Sequence, residues 1–157
     1  MFMKKKTVLI STIIVVCLAV IAYAISIMFA QARDSLEITN AWVPLAPPKA
    51  KIMAAYVTIE NPTNDLVEIT EVTSPDFAHV MIHETVVEDG VSRMEMRDKL
   101  LLTAGEKVVM QRGGLHLMLM YKKRVFKQGD TVILKFTTSK GTVTVTAPVK
   151  VASLDNQ

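Results

Sequence analysis

Beyond residue 32 the chain contains no cysteine, since its single one, Cys17, lies in an apolar run near the N-terminus. The remainder can form no disulfide and offers no thiolate to a metal, so it must be stable through its core alone. A blue-copper electron-transfer centre fits poorly, because it needs a Cys thiolate. Zinc fits poorly, because its usual sites combine Cys, His and carboxylate. One-sided charge is also lacking. Of 18 basic residues, Lys4, Lys5 and Lys6 precede the apolar run, which leaves 15 basic against 15 acidic residues after it. No basic field remains for nucleic acid and no acidic one for steering cations. There is no nucleophile elbow, no HExxH and no phosphate loop, so hydrolytic and redox catalysis find no motif.

What is present first is an export signal. Lys4–Lys6 form a basic start, and Thr7 to Ala30 is an uncharged apolar or small-residue run of 24 residues. Such a run exceeds the roughly 7–15 residues of a signal core and reaches the about 20 that cross a bilayer. Residues 1–32 are therefore read as a signal peptide or an N-terminal membrane anchor through residues 7–30. Ala30-Gln31-Ala32 is the better small-x-small cleavage site and Ala22-Tyr23-Ala24 the weaker. Val16 stands before Cys17 where a lipobox requires a small residue, which argues against lipidation. The positive-inside rule keeps Lys4–Lys6 cytoplasmic and delivers the rest outside, which in a bacterium means the periplasm.

Residues 33–151 show no helical period. They alternate β-branched runs with turn signals: Leu36–Val43, Ala54–Asn61, Val67–Thr73, Val80–Val87, Val91–Met96, Leu100–Thr103, Lys107–Gln111, Leu115–Tyr121, Thr131–Thr138 and Thr142–Pro148. Asp89-Gly90, Gly113-Gly114 and Gln128-Gly129-Asp130 are among the punctuating turns. Many short strands at this spacing predict an all-β, antiparallel Greek-key sandwich or barrel. The final hairpin is the clearest, with Val132, Leu134 and Phe136 answered by Val143, Val145 and Ala147. Residues 152–157 form a tail.

The chemistry lies in Leu115-His116-Leu117-Met118-Leu119-Met120. At strand period the three leucines share a core face, while His116, Met118 and Met120 share the other. Met81 and His83 repeat the pattern upstream, and so do Met94 and Met96 beyond Asp89-Gly90. A two-residue turn there sets Thr85 opposite Met94 and His83 opposite Met96, so both methionines are candidates to join His83. His116 and Met118, at i and i+2, can hold one ion between them. Imidazole with thioether selects a soft metal, and Cu(I) leads. A thioether has no proton to lose and forms no disulfide, which suits an oxidising compartment. His79 shares parity with Met81 and His83 but reads as a loop-edge residue. Met53 and Met110 read as core, Trp42 and Tyr56 as core aromatics near the site, and Lys122-Lys123-Arg124 as a solvated loop.

The spacing His83-x10-Met94-x21-His116-x-Met118 resembles that of the periplasmic copper chaperones called PCuAC. The resemblance extends through Asn40-Ala41-Trp42, Ala54-Ala55-Tyr56, Asn61, His83-Glu84, Ala104-Gly105, Gly113–Met120 and Gln128-Gly129-Asp130, covering residues 36–150. It implies a cupredoxin-like β-sandwich that binds one Cu(I) through His83, Met94, His116 and Met118, choosing Met94 over Met96. Met96, Met120 and Met81 remain as possible additional ligands. It also implies a non-enzymatic carrier that hands copper to an acceptor, a cytochrome c oxidase subunit or a Sco-type protein. Pro44 departs from the basic residue expected after the Trp42-Val43 pair, and the tail carries no His or Met. The alternative is a membrane-tethered interaction module whose Met/His face docks a protein; a copper-dependent redox enzyme is third.

Overall fold

The computed structural model describes residues 16–24 and 34–152. The chain divides into two compact units at Asp34/Ser35. In the first, residues 16–24 are helical. Among the described residues no helix is long and apolar enough to cross a membrane. The expected span at 7–30 is described only at 16–24, which includes the weaker cleavage site Ala22-Tyr23-Ala24; the site at Ala30-Gln31-Ala32 and the tail beyond Ala152 fall outside the described residues.

The second unit is built of ten strands: β1 (Glu37–Pro44), β2 (Ile52–Glu60), β3 (Val67–Thr73), β4 (Phe77–Glu88), β5 (Val91–Arg97), β6 (Leu100–Leu102), β7 (Lys107–Val109), β8 (Leu115–Lys122), β9 (Thr131–Thr138) and β10 (Gly141–Lys150). Their hydrogen-bonded order is β5-β4-β8-β2-β1-β10-β9-β3-β6, with β7 also on β2. The path turns from one layer to the other at β1 and β10, which run parallel and pair only at Val43↔Val149 and Pro44↔Lys150. All other pairings are antiparallel.

The two layers close over one core. Val57, Ile59, Ile82, Leu117 and Leu119 from one layer join Val67, Ile69, Val132, Leu134 and Phe136 from the other in a single buried cluster. This is the cupredoxin-like sandwich that the family resemblance implies. Met53 and Met110 are buried in it as expected, and the β9–β10 register sets Val132, Leu134 and Phe136 opposite Ala147, Val145 and Val143. Packed alternation of this kind drives the fold where a strand buries one face, as β9 does, whereas β2 is buried on both faces from Ala55 to Ile59.

Three connections matter for the site. Asp89 and Gly90 both have positive φ, 52° and 78°, so the β4–β5 turn takes the twist that matches its strands. In β1 the register shifts between Thr39 and Trp42, with Asn40 at φ 50°. That bulge sets Trp42 rather than Ala41 opposite Tyr56. Third, the fully buried Asn61 ties two connections together: its amide donates to the carbonyls of Asp65, Leu102 and Thr103, and its Oδ1 accepts from the Thr63 N–H and hydroxyl.

Lys122-Lys123-Arg124 does more than meet solvent. Lys122 and Lys123 donate to the carbonyls of Pro48 and Pro75, while Arg124 pairs with Asp76 and Asp130 and lies over Phe126 at 4.1 Å. The hydrogen bond it donates to the Asp76 carboxylate holds the Arg124 guanidinium pKa above its ordinary value.

Candidate metal centre

β4, β8, β2 and β5 lie side by side, and their outer face collects the soft side chains. His83 pairs directly with His116 on β8 and with Met96 on β5. Thr85 pairs with Met94, as the two-residue turn requires. Next along β4, Met81 pairs with Met118, which on its other side faces Ala54 of β2. Directly paired residues point to the same face with Cβ atoms about 4.5–5.5 Å apart. The inward face of the same strands carries Ile82, Leu117, Leu119, Met53 and Ala55, all buried.

The two imidazoles are the centre of the arrangement, with ring centroids 6.1 Å apart and planes at 64°. His116 is 8% exposed, and its Nδ1 lies 2.9 Å from the Gly114 carbonyl oxygen. A carbonyl only accepts, so Nδ1 carries the proton and donates, and Nε2 is left with its lone pair free. Gly113, at φ 73°, shapes the turn that brings this carbonyl under the ring. At Gly114 a Cβ would meet only ordinary contacts and at Gly113 none within 4 Å, so it is the positive φ of Gly113, and not a close backbone approach, that this turn requires.

His83 is different. Both of its ring nitrogens are buried and neither has a hydrogen-bond partner. Burial, and then the facing His116, lower its pKa from the usual 6.5, so the ring is neutral at neutral pH. A buried polar group without a partner costs about 1–3 kcal/mol. Such a group calls for a partner that the protein atoms do not supply.

Met94, His116 and Met118 line one cleft of about 400 Å³, together with Thr85, Tyr56, Pro44 at the end of β1 and Leu45 and Ala46 after it. Met94 reaches it from a strand all of whose residues are exposed, and is itself 60% exposed. Met96, directly opposite His83, lies beside Met81 at a separate crevice. The pairing register thus sets Met96 opposite His83 and Met94 diagonal to it, while the cleft with His116 and Met118 takes in Met94 and neither Met96 nor His83.

Tyr56 is buried and packs against Trp42 at 5.1 Å between centroids, whereas Trp42 is half-exposed beneath Arg112, 5.9 Å from its ring. His79 is not at a loop edge. β4 begins at Phe77, three residues earlier than its β-branched run suggests, and sets His79 opposite Met120. Among the described residues no group of three or more His, Cys, Asp or Glu is placed to hold a metal. The donors gathered here are imidazole and thioether, which fit a soft monovalent ion and suit a hard one poorly.

A family model described as putative lipoprotein LpqE-like matches residues 36–149. A curated relative, the putative lipoprotein Lxx21020 of Leifsonia xyli subsp. xyli, is 28% identical over 119 residues, which are 74% of this chain and 70% of that one. Among solved structures, the solution structure of Cu(I)-DR1885 from Deinococcus radiodurans is 32% identical, with a TM-score of 0.57, over 70% of this chain and 74% of that one. The copper-bound PCuAC domain from PmoF2 is 20% identical, with a TM-score of 0.63, over 74% and 93% of the two chains, and bears on the fold alone. The chain belongs to the LpqE-like family, a PCuAC-type family of copper-binding domains. Its fold is of the copper chaperone type. The lipoprotein names of the family and the relative mark an exported or membrane-anchored protein.

Proposed function

We propose that this protein is an exported, non-enzymatic carrier of Cu(I). Its ligands are His83, Met94, His116 and Met118, and it delivers copper to an acceptor on the outer side of the cytoplasmic membrane. The observation that carries this reading is the pair of buried, unpartnered nitrogens of His83, facing a His116 whose Nε2 is free. A copper-bound relative at 32% identity supports it.

The chemistry follows from the donors. Two neutral imidazoles and two thioethers bring no charge, so Cu(I) enters without displacing a proton from sulfur. His83 and His116 sit on the two central strands of the face and form the fixed half of the site. Met94, on the exposed hairpin arm, is the ligand an incoming acceptor displaces first. Acceptor thiolates or imidazoles then replace Met118 and the histidines in turn, with no change of oxidation state. Periplasmic delivery to the copper centres of cytochrome c oxidase, directly or through a Sco-type partner, is the destination that the family resemblance favours.

A second reading rests on the apolar tip of the same arm, where Val87, Val91, Met94 and Met96 are all exposed. As a metal-independent docking module, the protein would use this patch to bind a partner. An anaerobic competition titration against a coloured Cu(I) chelator separates the two. The full chain carrying Cys17→Ser, so that its thiol does not compete, holds one Cu(I) tightly, and Met118→Leu weakens it at least tenfold. No competition, or an unaltered Met118→Leu, would sink the carrier reading and leave the docking module.

A further inference from the structure

The outer face does not end at His83 and His116. Two residue pairs further along the same strands, His79 stands opposite Met120, and the Met81–Met118 pair lies between. From His83 to His79 is four strand residues, about 13 Å. That is too far for one ion to reach both imidazoles, yet each pair is one step from the next. We infer that His79, Met81 and Met120 form a second soft-metal site for Cu(I), separate from the first and joined to it through the Met81–Met118 rung.

Several observations carry this. The three donors share a face by register, and opposed Cβ atoms at about 4.5–5.5 Å let His79 and Met120 hold one ion between them. Met81 and Met120 are half-buried at the sheet surface, which fits neither a core gap-filler nor a solvated side chain. His79 is exposed and makes no hydrogen bond among the described residues; its one ring contact is edge-on to Tyr121 at 6.4 Å. Its imidazole is therefore free to bind.

The flanks are also suitable. On β2 the residues opposite Met120 and Met118 are Ile52 and Ala54, uncharged and, at Ala54, small enough to leave the thioether room. On the other side β5 pairs with β4 only from Ile82 onwards, so Met81 borders a crevice with Met96 and Arg97 while the edge of β4 at His79 has no β5 residue opposite it. An ion can approach there without passing the first site. Three neutral donors with one uncovered edge bind more weakly than four around a cleft, so the second site fills after the first. The ion moves between them by exchange of thioethers at Met118 and Met81, with no redox step.

The inference rests on the carrier reading only for the choice of ion, and the test keeps the two apart. The full chain with Cys17→Ser is titrated anaerobically with Cu(I), bound copper is counted by equilibrium dialysis, and the methionine methyl resonances are followed. Two ions are expected. Met118 responds to the first, Met120 to the second, and His79→Gln with Met120→Leu weakens the second at least tenfold while leaving the first unchanged. One tight ion with no second, a second ion that leaves Met120 unmoved, or a second ion indifferent to the double variant overturns the inference and leaves the carrier reading standing. A chain that binds no Cu(I) overturns both.

Discussion

His83→Leu tests the reasoning about the site without assuming that copper is bound. The fold keeps two imidazole nitrogens buried with no partner, a cost of about 1–3 kcal/mol that a leucine of similar size does not incur. Met96 and His116, the cross-strand neighbours of His83, can pack against the leucine. The variant without metal should therefore be more stable than the wild type by about 1–2 kcal/mol. In a domain of this size that raises Tm by roughly 3–8 °C. Copper reverses the ranking. Cu(I) at about 100 times its Kd adds about 2.7 kcal/mol to a chain that binds it, and the variant forgoes this. Losing a direct ligand should weaken binding by more than the 10–100-fold typical of losing a ligand's supporting partner. Thermal melts with and without Cu(I) read both effects. A His83→Leu chain that is less stable without metal, or that gains as much from Cu(I) as the wild type, refutes the assignment of the orphaned imidazole to a ligand role.

Three further outcomes are expected. Gly90→Ala meets no steric contact but places a Cβ at φ 78°, so it should cost about 1 kcal/mol in urea unfolding and weaken Cu(I) binding by loosening the arm that carries Met94. Unchanged stability would contradict the turn assignment. Asn61→Ala leaves three carbonyls and the Thr63 N–H without their amide partner and should cost about 3–5 kcal/mol, with copper binding retained in the fraction that folds. Finally, the lowered pKa of His83 means that below about pH 6.5 the unfolded chain takes up a proton that the fold does not. Stability should fall as pH drops from there through the folded pKa and be insensitive to this group above it. The difference between wild type and His83→Leu in urea midpoints from pH 5 to 8 isolates that slope, and its absence would show that the fold does not lower the pKa of this ring.

Much of this architecture is legible in the sequence because strands such as β9 bury one face and leave the other largely to polar residues. Val67–Thr73 and Thr131–Thr138 are bounded by turn residues and coincide with β3 and β9. Asp89-Gly90 fixes a two-residue turn, and with it the pairing of His83 with Met96 and Thr85 with Met94. The early start of β4 is hidden because Phe77-Ala78-His79 has no β-branched residue. His79 belongs to the strand only because β8 extends far enough to pair with it, a long-range fact. The choice between Met94 and Met96 lies beyond periodicity, since both point outward. Their difference comes from the stretch after β1, which closes a cleft over Met94, His116 and Met118. The work of Lys122–Arg124 is also invisible locally: its partners, Pro48, Pro75, Asp76 and Asp130, lie in other connections.

The most direct test of the central claim is X-ray absorption at the copper edge on the full chain carrying Cys17→Ser, loaded anaerobically with one equivalent of Cu(I). The account predicts a Cu(I) edge and a first shell of two imidazole nitrogens and two thioether sulfurs, losing one sulfur in Met94→Leu and one nitrogen in His83→Leu. A shell of oxygen and nitrogen alone, or one unaltered by both substitutions, would contradict it.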